Sequence, residues 1–134
     1  MHKNVFNLNN FIRPNIKALK PYSSARDEYN ASSDDMIFLD ANENPFENDV
    51  NRYPDSQQAL LKLELSKLKQ IAARNILLGN GSDEVLDLIV RAFCEPAKDQ
   101  IITLPPTYGM YQVLANSHNI EVIEVPLLKD FQPN

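Results

Sequence analysis

The chain holds one cysteine, two histidines, three glycines and no tryptophan. A lone Cys94 permits no internal disulfide and no cysteine-built metal site, which fits a reducing compartment, and a small buried apolar role is expected for it. His2 and His118 lie far apart with no carboxylate at ligand spacing, so both are expected to be solvated surface groups and no metal is expected. No apolar run approaches the ~18 residues of a membrane span, and Met1-His2-Lys3-Asn4 leads into an Asn-rich stretch rather than an apolar signal core. No membrane partner is expected, and a cytoplasmic location is. Positive charge is also scarce: the net charge is -5, and the thirteen Lys and Arg residues form no run or stripe, which argues against nucleic acid. Average usage would supply ~9 glycines in this length. The three present are Gly79, Gly81 and Gly109, all inside or beside the candidate sites below.

What remains is ordinary globular material. An apolar share of 43% and a charged share of 23% exclude wholesale disorder, and 134 residues suffice for one domain burying roughly two-thirds of its unfolded surface. There are no repeats, but the texture changes near residue 56. Residues 1–55 are irregular and rich in Asn, Asp and Ser, with Pro14, Pro21, Pro45 and Pro54 and only short apolar islands such as Met36-Ile37-Phe38-Leu39. An arm crossing another surface has this composition. From Ser56 the pattern turns periodic: Leu61, Leu65, Leu68 and Ile71 predict a helix to about Ala73, with Asp55 or Ser56 placed to cap it. Asn75–Leu78 then reads as a short buried strand, and Leu86, Ile89, Val90 and Phe93 line the next helix, which Pro96 stops. Gln100 to Leu104 reads as a strand, Pro105-Pro106-Thr107 introduces a helix carrying Tyr108, Tyr111 and Leu114, and residues 120–125 form a last strand. Strands alternating with helices predict an α/β fold with a mostly parallel sheet.

Two places gather chemistry. At Leu78 to Glu84 a glycine turn opens a helix, so unpaired backbone N–H groups and the positive end of the helix dipole meet where glycine allows close approach. An anion there gains ~0.3–1 kcal/mol when exposed; alternatively Asp83 and Glu84 fill that role themselves, as an acid-capped helix. Walker A is excluded because no Lys-Ser or Lys-Thr pair follows, and Glu84 stands where the dinucleotide fingerprint needs glycine, so ATP and NAD are not expected. The second place, Pro105 to Tyr111, follows a strand and so lies at the carboxyl edge of the sheet. Tyr108 beside Gly109 either presents a ring face to a flat aromatic ligand or is a core tyrosine with a paired hydroxyl. In the arm, LDANENP at 39–45 and NRYPD at 51–55 are polar clusters that turn chemistry alone also accounts for.

Five strings in this order resemble the N-terminal part of the fold-type I pyridoxal-phosphate aminotransferases, most closely the histidinol-phosphate aminotransferases: KPYSSAR at 20–26, LDANENPF at 39–46, NRYPD at 51–55, GNGSDEVLDLIVRAFCEP at 79–96 and PPTYGMY at 105–111. The resemblance covers the chain from about residue 10. It implies part of a three-layer, mostly parallel large domain, with residues 1–55 as N-terminal arm and part of the small domain and 56–134 as the first part of the cofactor-binding domain. It implies pyridoxal 5'-phosphate as cofactor, its phosphate on the backbone at Gly81, Ser82 and Asp83, and Tyr108 stacked on its ring. Tyr53 would reach the phosphate of a partner copy's cofactor, making a homodimer, and Tyr22 and Asn42 would lie near the substrate. The implied reaction moves an amino group between glutamate and imidazole-acetol phosphate, with 2-oxoglutarate and histidinol phosphate as products, in histidine biosynthesis.

That reaction needs a lysine to hold the cofactor as an imine and move a proton. None of the eight lysines, at 3, 17, 20, 62, 67, 69, 98 and 129, sits in the Ser-x-Ser-Lys context the family uses, so no catalytic residue is assigned. The ending at Lys129 to Asn134 reads as mid-domain chain. The expectation is an incomplete aminotransferase, inactive and marginally stable alone. The alternatives are a noncatalytic remnant or dimerising fragment, or a related aminotransferase or decarboxylase with another substrate.

Overall fold

A computed structural model describes residues 6–23, 37 and 39–134. His2, Lys3, Ser24, Ala25, Arg26, Met36 and Phe38, named above, lie outside the described residues. In chain order the described residues form α1 (Pro14–Lys17), α2 (Ala59–Lys69), α3 (Ser82–Phe93), β1 (Gln100–Thr103), α4 (Met110–Ser117) and β2 (Glu121–Glu124), with 3-10 turns at Leu8–Asn10 and Ala73–Asn75. Contacts divide the chain into two units, residues 1–19 with 77–134, and residues 20–76.

The first unit contains the α/β part. β1 and β2 run parallel, pairing Gln100 with Glu121 through Thr103 with Glu124, with α4 as the crossover between them. Two backbone bonds beyond the strands prolong the pairing, Val125 N to Thr103 O at 2.9 Å and Leu127 N to Pro105 O at 3.1 Å. Val90 of α3, Ala115 of α4 and Ile120 before β2 are buried, and Cys94, Ile101 and Val122 pack against them half-buried. Burial pushes the Cys94 thiol up, with the charge of Asp99 adding to the effect.

The C-terminal end and the middle of α3 are held by chemistry that periodicity does not reveal. At its C-terminal end the Arg13 amide donates to Ala92 O at 3.0 Å and the guanidinium to Arg91 O at 2.8 Å. These bonds satisfy carbonyls a helix end would otherwise leave unpaired. Arg13 Nε also meets Glu95 Oε2 at 3.0 Å. Midway along, Asp87 bridges Arg91 at 2.7 Å and His118 Nε2 at 2.5 Å. His118 is therefore not the solvated group expected: its partner lies 31 residues earlier, and only the packing of α4 beside α3 brings the two together.

In the second unit α2 starts at Ala59 and its N-cap falls on Gln58, left-handed at φ 50° with no side-chain cap bond, rather than on Asp55 or Ser56; Asp55 still accepts the Gln57 amide at 2.8 Å and the first helical amide, of Ala59, at 2.7 Å. The helix stops at Lys69 rather than near Ala73, because Gln70 turns left-handed at φ 54° and donates its amide back to Ser66 O. The strand expected at Asn75–Leu78 is not formed. Asn75 and Ile76 spend their amides on a local turn, to Ala72 O at 2.8 Å and Ala73 O at 3.1 Å. Ile76 has extended dihedrals, yet residues 76–78 join no ladder among the described residues. The helix expected to carry Tyr108 starts later, at Met110, leaving Tyr108 on the loop after β1.

Candidate functional site

The corner at Leu78 to Glu84 depends on two glycines for two different reasons. A side chain at Gly79 would stand 2.9 Å from Glu84 Oε2 and 3.1 Å from Val85 Cγ2, so Gly79 supplies space. Gly81 supplies conformation: it holds φ 87° and ψ 173°, a region essentially closed to other residues, while nothing lies within 4 Å of where its Cβ would be. The chain thereby turns directly from Asn80 into α3 with no side-chain cap.

The amides of this corner are partly used. Glu84 folds back and accepts the Asn80 amide, and Gly81 N donates to Gly79 O at 2.9 Å. The amides of Ser82 and Asp83 bond to no group among the described residues, as the first turn of a helix leaves them. The acid-cap alternative thus holds for Glu84 and Asn80, and the anion-receiving alternative keeps Ser82 and Asp83.

Tyr108 points to the same corner. Its hydroxyl donates to Asp83 Oδ2 at 3.3 Å, and its ring, 54% exposed, meets Tyr111 edge-on at 6.1 Å between centroids. The neighbouring Asp83 charge is the largest cause, ahead of desolvation, that raises the phenol above its ordinary value and keeps it a donor. Asp83 Oδ1 is buried and bonds to no group among the described residues, a costly state for a carboxylate oxygen. Gly81, Ser82, Asp83 and Tyr108, named from sequence, therefore share one corner, where two free first-turn amides lie beside an exposed aromatic ring. Free amides, a positive-φ glycine and an exposed ring fit a phosphorylated aromatic cofactor, while the unpaired Asp83 oxygen, an acceptor, fits a donor on its ring and not its phosphate.

The remaining named residues belong to the other unit. Asn42 and Tyr53 line one concavity of 270 Å³ together with Glu43 and Arg52. Tyr22 is almost fully exposed and bonds to none of them among the described residues. Glu43 is the residue that sequence reasoning quoted without a role. Its carboxylate accepts the Tyr53 amide at 2.8 Å and Arg52 Nη1 at 3.1 Å, and Arg52 Nη2 reaches Glu47 at 2.8 Å. That hydrogen bond, foremost, lowers the Glu47 carboxyl below its ordinary value and raises Arg52. The available signal was an acid one string before NRYP, a spacing that becomes a contact only when the intervening loop closes. Among the described residues no cluster of three or more potential ligands could hold a metal ion, and no helix is long and apolar enough to cross a membrane.

Residues 34–134 match the family model described as aminotransferase class I and II. The histidinol-phosphate aminotransferase of Christiangramia forsetii is 62% identical over 129 residues, covering 96% of this chain and 37% of the relative. That of Flavobacterium johnsoniae is 62% identical over 131 residues, covering 97% and 38%, and that of Bacteroides fragilis is 57% identical over 125, covering 93% and 36%. This chain therefore spans little more than a third of the length of these curated relatives. A crystal structure of an inferred aminotransferase from Burkholderia pseudomallei matches with a TM-score of 0.52 at 22% identity, over 69% of this chain and 32% of that one. The likeness shows the fold: a partial α/β domain of the aminotransferase type.

Proposed function

This chain belongs to the class I and II aminotransferase family, and from that premise we propose that it serves the histidinol-phosphate aminotransferase reaction, exchanging an amino group between glutamate and imidazole-acetol phosphate. The carrying observation is the corner where the Ser82 and Asp83 amides, bonded to no group among the described residues, lie beside an Asp83-bonded Tyr108. The assignment takes residues 1–55 as arm and part of a small domain, and 56–134 as the first part of the cofactor-binding domain.

In this reading the Gly81, Ser82 and Asp83 backbone holds the phosphate of pyridoxal 5'-phosphate, and Tyr108 covers its ring. The bound cofactor supplies an electron-withdrawing ring that makes a substrate Cα proton removable. The chain's own residues bind and orient: first-turn amides fix the anionic end, the dipole of α3 favours it, and the protonated Tyr108 hydroxyl keeps the ring over the corner through Asp83. Tyr53 serves the phosphate of a partner copy, so the working unit is a homodimer, and Tyr22 and Asn42 face substrate. No lysine here is assigned to the covalent step, so the chain by itself is expected to bind cofactor without turnover. The relatives' biosynthetic role points to the cytoplasm.

Ser82→Pro tests the phosphate assignment. Proline is tolerated at the first helical position, so it deletes one free amide while leaving α3 intact. Pyridoxamine 5'-phosphate, which needs no lysine to bind, should lose about tenfold in affinity, the worth of one hydrogen bond to a charged group. Unchanged affinity in fluorescence titration would overturn the assignment.

A further inference from the structure

The two polar strings of the 20–76 unit converge on one carboxylate. Glu43 has a side chain only 4% exposed, and each oxygen is occupied by a different neighbour from the other string: Oε1 by the Tyr53 amide at 2.8 Å, Oε2 by Arg52 Nη1 at 3.1 Å. A second tie closes the loop from the side, where Asn51, itself buried, donates Nδ2 to Asn44 O at 3.2 Å. Arg52 is braced again by Glu47.

This arrangement sets direction. Burying a carboxylate is costly unless its oxygens are filled, and here a main-chain N–H and a guanidinium fill them from consecutive residues. Fixing the Tyr53 amide and the Arg52 side chain on one rigid acceptor fixes the backbone between them, and with it the direction in which the Tyr53 side chain leaves the loop. That side chain is 68% exposed, and its phenol takes part in none of the hydrogen bonds between described residues. Ordinary turn chemistry needs an Asn or Asp accepting two residues on, as Asn44 does for Phe46 and Asn48 for Val50. It does not need a buried acid reaching ten residues along the chain to Tyr53.

We propose that Glu43 is the positioning residue for Tyr53, holding the NRYP turn so that the phenol is presented outward to a phosphate-bearing ligand of a second copy. This rests on the proposed role of Tyr53 at the partner's cofactor. Glu43 touches neither ligand nor reacting atoms and acts only through the turn.

The test is a double-variant cycle on the full chain, with pyridoxamine 5'-phosphate as probe and amide hydrogen exchange as second readout. Tyr53→Phe should weaken binding about tenfold, Glu43→Ala by a similar factor, and the double variant no more than about twofold beyond either, since both remove the same contact. In Glu43→Ala the Tyr53 amide should exchange at least about tenfold faster while the amides of α2, in the same unit, stay unchanged. Glu43→Gln, which keeps one oxygen for the Tyr53 amide, should fall between wild type and Glu43→Ala in both readouts. Losses that multiply in the double variant, or exchange that rises along α2 as well, overturn the proposal by making Glu43 a general support of the unit. If Tyr53→Phe binds as wild type does, the role of Tyr53 at the phosphate falls, and the proposal with it.

Discussion

Each of the two units is stabilised internally by different physics. Residues 6–19 and 77–134 have an apolar centre in Val90, Ala115 and Ile120, with half-buried Ile101 and Val122 closing it. Among the described residues of 20–76 the buried residue is Asn51, the Glu43 carboxylate is a buried side chain, and Leu60, Leu61, Leu63 and Leu68 of α2 are exposed. Apolar burial yields roughly 25 cal/mol per Å² without regard to direction. A polar knot yields little net stability, because each bond replaces one to water, but it is strongly directional. The first unit is therefore expected to supply stability and the second geometry, in keeping with the phosphate corner proposed on α3 and the proposed presentation of Tyr53 from a loop.

The largest effect that could break this contrast is in the apolar centre. Ile120 is 2% exposed, and Ile120→Ala should cost about 2–5 kcal/mol in urea unfolding. A loss no greater than that of an exposed leucine would show that the centre contributes little. Next is the corner. Gly81→Ala places a side chain on a backbone at φ 87°, costing about 1–3 kcal/mol through its own flanking backbone, with no clash against the rest of the fold. Gly79→Ala should cost less, because its Cβ would meet the movable end of Glu84, which can swing aside and give up the Asn80 amide, and Val85 Cγ2 at 3.1 Å, which needs to give by only a few tenths of an ångström. Thermal unfolding of the two variants side by side separates conformation from space.

The same contrast explains how much was legible in the sequence. Apolar burial repeats with the helix period, so Leu86, Ile89, Val90 and Phe93 announced α3, and strands alternating with helices announced the parallel pair at 100–103 and 121–124. The corner was legible because glycine spacing and first-turn amides are local. Directional polar contacts carry no period: Glu43 with Tyr53, Asp87 with His118 and Arg13 with Glu95 are separated by 10, 31 and 82 residues. A strand likewise needs a neighbour, which the run Ile76-Leu77-Leu78 cannot announce. The helix stop at Gln70 was hidden because a non-glycine residue took the left-handed conformation.

A smaller effect sharpens the comparison through pH. The His118 hydrogen bond, foremost, holds the Asp87 carboxyl below its ordinary value. A depressed carboxyl pKa contributes stability that is present above the ordinary aspartate value and disappears as pH falls through the folded value. Asp87→Asn should thus cost at most about 1 kcal/mol at neutral pH, screened as surface pairs are, and nothing once the wild-type carboxyl is protonated. Urea midpoints of the two proteins should converge toward acid; a gap that widens there would refute the pairing.

The smallest expected effect is the most informative about the second unit. Leu60 on α2 is 82% exposed and Leu68 is also largely open, so replacing either with Ala removes almost no buried area. The cost should stay within about 0.5 kcal/mol, as for surface positions generally. Leucines spaced for a helical face but left open are also what an association surface looks like. The two possibilities differ in concentration dependence, because a face covered by a second copy gains stability by mass action while an idle one does not. Melting Leu68→Ala and the parent at two protein concentrations at least ~100-fold apart should give the same difference in Tm at both. A difference that grows with concentration would show that this face contributes to stability through association, and the contrast between a stabilising unit and a directing unit would then hold only for the isolated chain.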